Sequence, residues 1–229
     1  MGSTPIIRSN TPTVSRGLFI VKIMTNSTEN LEIMPHGVEK TQYGVEKYPY
    51  PTNKAFVFVD VETANYANDR ICAIGLIVVA NGKETGYYTL INPQTHITLS
   101  YIHGITDMDV QSAPTIEEFW QVMSTLLPKE FVFVAHNYRF DLNVMKKDLG
   151  RFGIEFAPKE VVDTMWVARD ILYHFKTVKS DLRLNVLSER LNVQLYHHNA
   201  ASDITATKEV LEKLLILGDR KIEEFIRKI

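Results

Sequence analysis

The 229 residues suffice for one large domain, or for one domain and a tail, and 25 basic against 27 acidic side chains leave a formal charge of −2. This balance excludes a globally basic nucleic-acid binder, so any polyanion must be met by a local patch. The single cysteine, Cys72, excludes an intramolecular disulfide and a cysteine-based zinc site, and no apolar run approaches the ~20 residues that cross a bilayer. The chain is read as cytoplasmic, with no membrane partner.

Residues 1–28 hold nine Ser or Thr, three basic residues and no acid. That bias is transit-peptide-like, and it equally fits a leader of little order or a start codon assigned too early. The piece GLFIVKIM (17–24) is too short, and too interrupted by Lys22, for a secretory signal. The stretch YPYPTN (48–53) reads as an extended linker, because each proline removes a donor and disfavours helix before it. Residues 1–53 are therefore expected to be an N-terminal extension of little order, and 54–229 the folded domain.

From Lys54 onward strands and helices alternate. The run FVFVD predicts a strand over 56–60, and the β-branched run ICAIGLIVVA a second over 71–80. Asn81-Gly82 is a hairpin turn signal, with the returning strand at 85–91. Cys72 lies inside the second strand and reads as a small buried hydrophobe. Ile116, Phe119, Trp120, Met123, Leu126 and Leu127 recur at helical spacing, and Pro114-Thr115 suits the helix start. A buried strand at 131–135 runs into a helix over 140–152; a short strand at 161–162 runs into a helix over 164–173. Further helices are predicted over 184–191, over 202–217 with Ser202 as cap and Gly218 as stop, and at the amphipathic end 222–229. Hairpin strands followed by strand–helix units imply a mixed sheet flanked by helices, with sites beyond the carboxyl ends of the central strands.

Three places on that edge carry acids. Asp60 and Glu62 end the first strand in FVFVDVETAN, two apart and so on one face. Burying such carboxylates unpaired is costly. Asp141, in AHNYRFD, falls in the first turn of the helix after the second buried strand; Asp203, in HHNAASD, opens the last long helix, with His198 five residues before it. Each helix acid alone is an ordinary response to the helix dipole. Together, the four acids would repel one another unless cations filled the cluster. Oxygen-only ligands favour Mg²⁺ or Mn²⁺, and two such ions about 4 Å apart are suited to in-line phosphoryl displacement.

DVETAN, HNYRFD and HHNAASD resemble the three motifs of the DnaQ-like DEDDh 3′–5′ exonucleases: D-x-E, H-N-x-x-F-D and H-x-A-x-x-D. The segment INPQTHITLSYIHGITDMDVQSAPTIEEF resembles that family's I-N-P, I-H-G-I-T and A-P-T elements, and DTMWVAR and LNVLSERLNV its later strand and helix regions. The resemblance covers about residues 54–217 and none of the first 53. It implies a ribonuclease-H-like α/β fold, a mixed five-stranded sheet flanked by helices. It also implies release of nucleoside 5′-monophosphates from a nucleic-acid 3′ end, DNA rather than RNA, single-stranded or frayed. Asp60, Glu62, Asp141 and Asp203 would hold two divalent ions, Mg²⁺ or Mn²⁺, with Asp60 bridging, and His198 would be the general base. Thr63, Ala64, His103, Asn137 and Phe140 would line the substrate; Arg139, Lys146 and Lys147 are weaker phosphate contacts, and His136 and His197 are read as structural.

Two alternatives stay open: an exoribonuclease that trims RNA 3′ ends or degrades oligoribonucleotides, and a proofreading subunit that docks on a DNA polymerase. A second copy of the chain is a further candidate partner. A nucleophilic hydrolase is disfavoured, since there is no G-x-S-x-G; a G-x-x-x-x-G-K phosphate loop is also missing.

Overall fold

The computed structural model describes residues 32–33, 39–43, 49–174, 182–195 and 200–229. Two short strands, β1 (Glu32–Ile33) and β2 (Glu39–Tyr43), precede three long ones: β3 (Phe56–Thr63), β4 (Ile71–Ala80) and β5 (Lys83–Leu90). The β4–β5 hairpin turns at Asn81 and Gly82, both left-handed with φ of 53° and 69°, the conformation for which Asn-Gly is selected. After helices α1 (Ser100–His103), α2 (Asp107–Val110) and α3 (Ile116–Leu126) come β6 (Val132–Ala135), α4 (Tyr138–Gly150), β7 (Glu160–Asp163) and α5 (Thr164–His174). The chain closes with α6 (Leu184–Arg190), α7 (Ala200–Gly218), a 3₁₀ turn (Ile222–Phe225) and β8 (Arg227–Lys228).

The sheet runs β1-β2-β5-β4-β3-β6-β7-β8, with β3–β6 and β6–β7 parallel and the other pairs antiparallel. Its middle five strands are those the sequence predicts; β1, β2 and β8 lengthen the two edges.

Period-two alternation sorts the core into two layers. Val57, Val59 and Val61 face a cluster with Ile116, Phe119 and Met123 of α3 and Leu142, Met145 and Leu149 of α4. Phe56 and Phe58 face the other way, onto Val167 and Ile171 of α5, Leu187 of α6, and Ile204, Leu211 and Leu214 of α7. Asp60 and Glu62 share the phase of Phe56 and Phe58, so they sit on the face that α7 covers. The two layers bury most of β3 and β4 and all of β6, which explains why these strands read as apolar runs.

Local signals set the helix boundaries. Thr115 and Glu118 form a reciprocal capping box at the start of α3, with Glu118 N–H donating to Thr115 Oγ1 at 3.2 Å and Thr115 N–H to Glu118 Oε2 at 2.8 Å. Two expectations need correction. The last long helix starts at Ala200, so Ser202 lies inside it rather than capping it. The end of the chain is not a helix. Ile222 and Phe225, three apart, are buried by one 3₁₀ turn, and Arg227 and Lys228 then pair with Val161 and Glu160, covering the outer edge of β7. Among the described residues no helix is long and apolar enough to cross a membrane.

Candidate active site

Strand β3 carries its two acids to the sheet's edge. Pairing with β4 slips between Glu62 and Thr63: Glu62 faces Ala73 and Thr63 faces Ile71, leaving Cys72 as the extra residue. Such a bulge bends a strand and re-aims its side chains. Helix α7 lies across the same end, with Asp203 in its first turn. Asp60, Glu62 and Asp203 each offer a carboxylate oxygen, and these oxygens lie within 4.8 Å of one another. Asp203 is buried, Asp60 and Glu62 half-buried. Asp141 approaches from the opposite layer, in the first turn of α4, and its Oδ1 accepts the N–H of Val61 at 3.2 Å. Val61 is the residue between Asp60 and Glu62, so the fourth acid is tied to the backbone of the first two. The four sequence-predicted acids are thus gathered in one place; His198 lies outside the described residues, as does His197.

The electrostatics are those of a crowded anionic pocket. Burial raises the Asp60 carboxyl well above its usual range, and the charges of Asp141, Asp203 and Glu62 push it further. Burial and then Asp203 lift Glu62 to about 7. Asp141 is pushed up to about 8, burial outweighing the backbone N–H groups that it accepts. A hard divalent cation fits this donor set, because it would offset the charge of several converging carboxylate oxygens.

A pH signature follows from these shifts. Glu62 moves from an ordinary 4.5 to about 7, so the unfolded chain loses this proton before the folded one does. The stability that it contributes is full below about 4.5 and is lost as pH rises through about 7. Asp141 extends the loss to about 8. A cation binds the deprotonated pocket and so stabilises increasingly over the same interval. Thermal melts in EDTA and in Mg²⁺ should therefore diverge as pH rises; a gap independent of pH would contradict this.

The remaining sequence-predicted residues lie at and just after the tip of β3, on α1, and from the end of β6 into α4. His103 accepts Ile105 N–H on Nδ1 at 3.1 Å, so the proton sits on Nε2, which donates to the Thr63 carbonyl at 3.1 Å. Cys72 Sγ lies 3.7 Å from the same nitrogen, buried, its thiol pushed up to about 12 by burial and then by Glu62. His103 thereby clamps α1 to the tip of β3. Both backbone groups of Ala64 are engaged, its N–H with Arg70 and its carbonyl with Thr98 and Leu99, while Thr63 Oγ1 donates to Asn68 Oδ1 at 3.2 Å. Asn137 is the left-handed joint between β6 and α4, with φ 64° and ψ 57° and no side-chain cap. Phe140 is exposed, as are Arg139, Lys146 and Lys147, with Lys147 reaching the Ala67 carbonyl at 3.1 Å. His136 is held by Thr164 Oγ1 at 2.7 Å, and burial lowers its pKa to about 4.

One residue near the site escaped the sequence reading. Asp163, at the end of β7, accepts the N–H of Asn137 at 3.1 Å and of Met165 at 2.9 Å through one carboxylate oxygen. It therefore caps the starts of both α4 and α5 from a buried position, and α4 carries Asp141 one turn later. The signal was an acid directly before a helical run, the ordinary mark of an N-cap. Asp163→Ala strands these buried donors and should cost about 1–3 kcal/mol in urea unfolding; an unchanged midpoint would contradict that role.

Residues 57–211 match the RNase T exonuclease family. The DNA polymerase III PolC-type of Caldanaerobacter subterraneus subsp. tengcongensis is 33% identical over 214 residues, covering 81% of this chain and 14% of the polymerase. The 3′–5′ exonuclease DinG of Bacillus subtilis is 34% identical over 172 residues, covering 69% of this chain and 18% of DinG. The chain thus spans less than a fifth of these curated relatives. Among solved structures, E. coli exonuclease I in complex with a dA16 oligonucleotide has a TM-score of 0.59 at 20% identity, over 75% of this chain and 42% of that one. The nuclease domain of 3′hExo, a DEDDh family member bound to rAMP, has a TM-score of 0.54 at 13% identity, over 77% and 96%. At such identities the likeness is one of fold, the ribonuclease-H-like sheet. With the family matched across the β3-to-α7 span that carries all four acids, the chain belongs to the RNase T exonuclease family.

Proposed function

We propose that this chain is a 3′–5′ exonuclease that removes nucleoside 5′-monophosphates from the single-stranded or frayed 3′ end of DNA, using two divalent cations, Mg²⁺ or Mn²⁺. The observation that carries the reading is the trio of carboxylate oxygens on Asp60, Glu62 and Asp203 within 4.8 Å of one another. Asp60, Glu62 and Asp203 would hold one cation, and Asp60 with Asp141 the second. When bound, such cations offset charge developing on the phosphate and ease deprotonation of the attacking water. His198 takes the proton from that water, a task suited to an imidazole titrating near neutrality. Thr63, Ala64, His103, Asn137 and Phe140 wall the terminal nucleotide and orient its phosphate toward the acids. Residues 54–229 carry the activity and 1–53 are an extension; the setting is the cytoplasm.

DNA is favoured over RNA as substrate because the curated relatives include a DNA polymerase, and that same relative makes a polymerase a candidate partner. Matched single-stranded DNA and RNA, labelled at the 5′ end, test the reading. The expected result is progressive shortening of DNA from the 3′ end with Mg²⁺ or Mn²⁺, none with EDTA, and slower loss of RNA. Internal cuts, shortening from the 5′ end, or activity indifferent to EDTA would refute it.

A further inference from the structure

We propose that Gly75 is a positioning residue for the acidic pocket: its missing side chain lets the first turn of α7 seat directly on β4, and this seating brings Asp203 to Asp60 and Glu62. The inference rests on reading those carboxylates as a cation site.

Gly75 is the β4 residue directly opposite Asp60. Its phase is that of Ile77 and Val79, whose side chains meet α7, so a side chain at 75 would point at that helix. A β-carbon there would stand 2.6 Å from the Ala200 carbonyl oxygen, 3.2 Å from its carbon and 3.1 Å from Ile204 Cγ2. Two of these three atoms are backbone, which no rotamer change can move aside. Ala200 is the first residue of α7 and Ile204 lies one turn on, so the contact brackets Asp203 on both sides. Conformational freedom is not what glycine supplies here, because its φ lies outside the left-handed region. A glycine inside a strand otherwise weakens it, and close approach of another backbone is its usual reason. A β-carbon at Gly150 would meet nothing within 4 Å, so Gly150 is an uncrowded counterpart to Gly75. Ala200 also follows His198 by two residues, so moving Ala200 moves the anchor of the proposed base.

The test is Mn²⁺ binding followed by electron paramagnetic resonance on the full chain, with folding checked by circular dichroism. Gly75→Ala should weaken Mn²⁺ at least ~10-fold, the scale of losing a group that orients a ligand. Gly150→Ala should change it less than about twofold. If Gly75 acts through Asp203, adding Gly75→Ala to Asp203→Asn should cause no further loss. Asp203→Glu, whose longer arm reaches further, should weaken Mn²⁺ in the native background yet strengthen it beside Gly75→Ala. Should Gly75→Ala fail to fold, Gly75→Ala/Ile204→Ala removes one of the clashes and is compared with Ile204→Ala for the same ~10-fold loss. Native affinity in folded Gly75→Ala, or an undiminished loss on top of Asp203→Asn, would overturn the inference while leaving the cation site standing. A native chain that takes up no Mn²⁺ would overturn both.

Discussion

Asp60→Asn is expected to lower turnover by at least ~10³-fold while raising the thermal midpoint of the cation-free chain. The two effects have one cause. Asp60 is held above its usual range by burial and by three neighbouring carboxylates, Asp141, Asp203 and Glu62, so its charge opposes folding until a cation arrives. Asn keeps the shape and removes the charge. The pocket's self-repulsion relaxes, but the shared ligand of the two proposed cations is gone. Cation stabilisation of the transferring phosphate is worth several kcal/mol, and each 1.36 kcal/mol is tenfold in rate, hence the ~10³-fold floor. Single-turnover digestion together with melts in EDTA reads both effects. Near-native turnover would remove Asp60 from the chemistry; a lower midpoint in EDTA would show that its charge does not strain the fold.

His198→Ala is the second large effect, an expected loss of ~10²–10⁴-fold, the range for a general base. An imidazole acts as a base only when neutral, so the native rate should fall as pH drops below neutrality. Glu62, lifted to about 7, titrates in the same region and weakens cation binding as it protonates. Cation concentration separates the two. More Mg²⁺ shifts the carboxylate limb to lower pH and leaves the histidine limb in place, so in His198→Ala only the cation-sensitive limb should survive. An unchanged rate in this variant would exclude His198 as the base.

The acids were legible because strand and helix periods place them. Asp60 and Glu62 share a face at spacing two, and Asp141 and Asp203 open helices that start at the sheet's carboxyl edge. The five central strands were legible as apolar runs bounded by turn residues. What escaped depends on contacts distant in sequence. The backbone pairing of β2 with β5 and of β8 with β7 answers exposed sheet edges, which local composition does not encode. Helices α1 and α2 fill a stretch in which no element was predicted, although Thr106 and Asp109 form a capping box and left-handed Gly104 ends α1. Gly75 looked like one more residue of a strand; only the arrival of α7, 125 positions later at Ala200, gives it a task.

The most direct measurement is anomalous diffraction from crystals soaked in Mn²⁺. Peaks ligated by Asp60, Glu62 and Asp203, with a second held by Asp60 and Asp141, are the expected result. A chain that digests DNA yet shows Mn²⁺ elsewhere, with those four side chains unliganded, would contradict it.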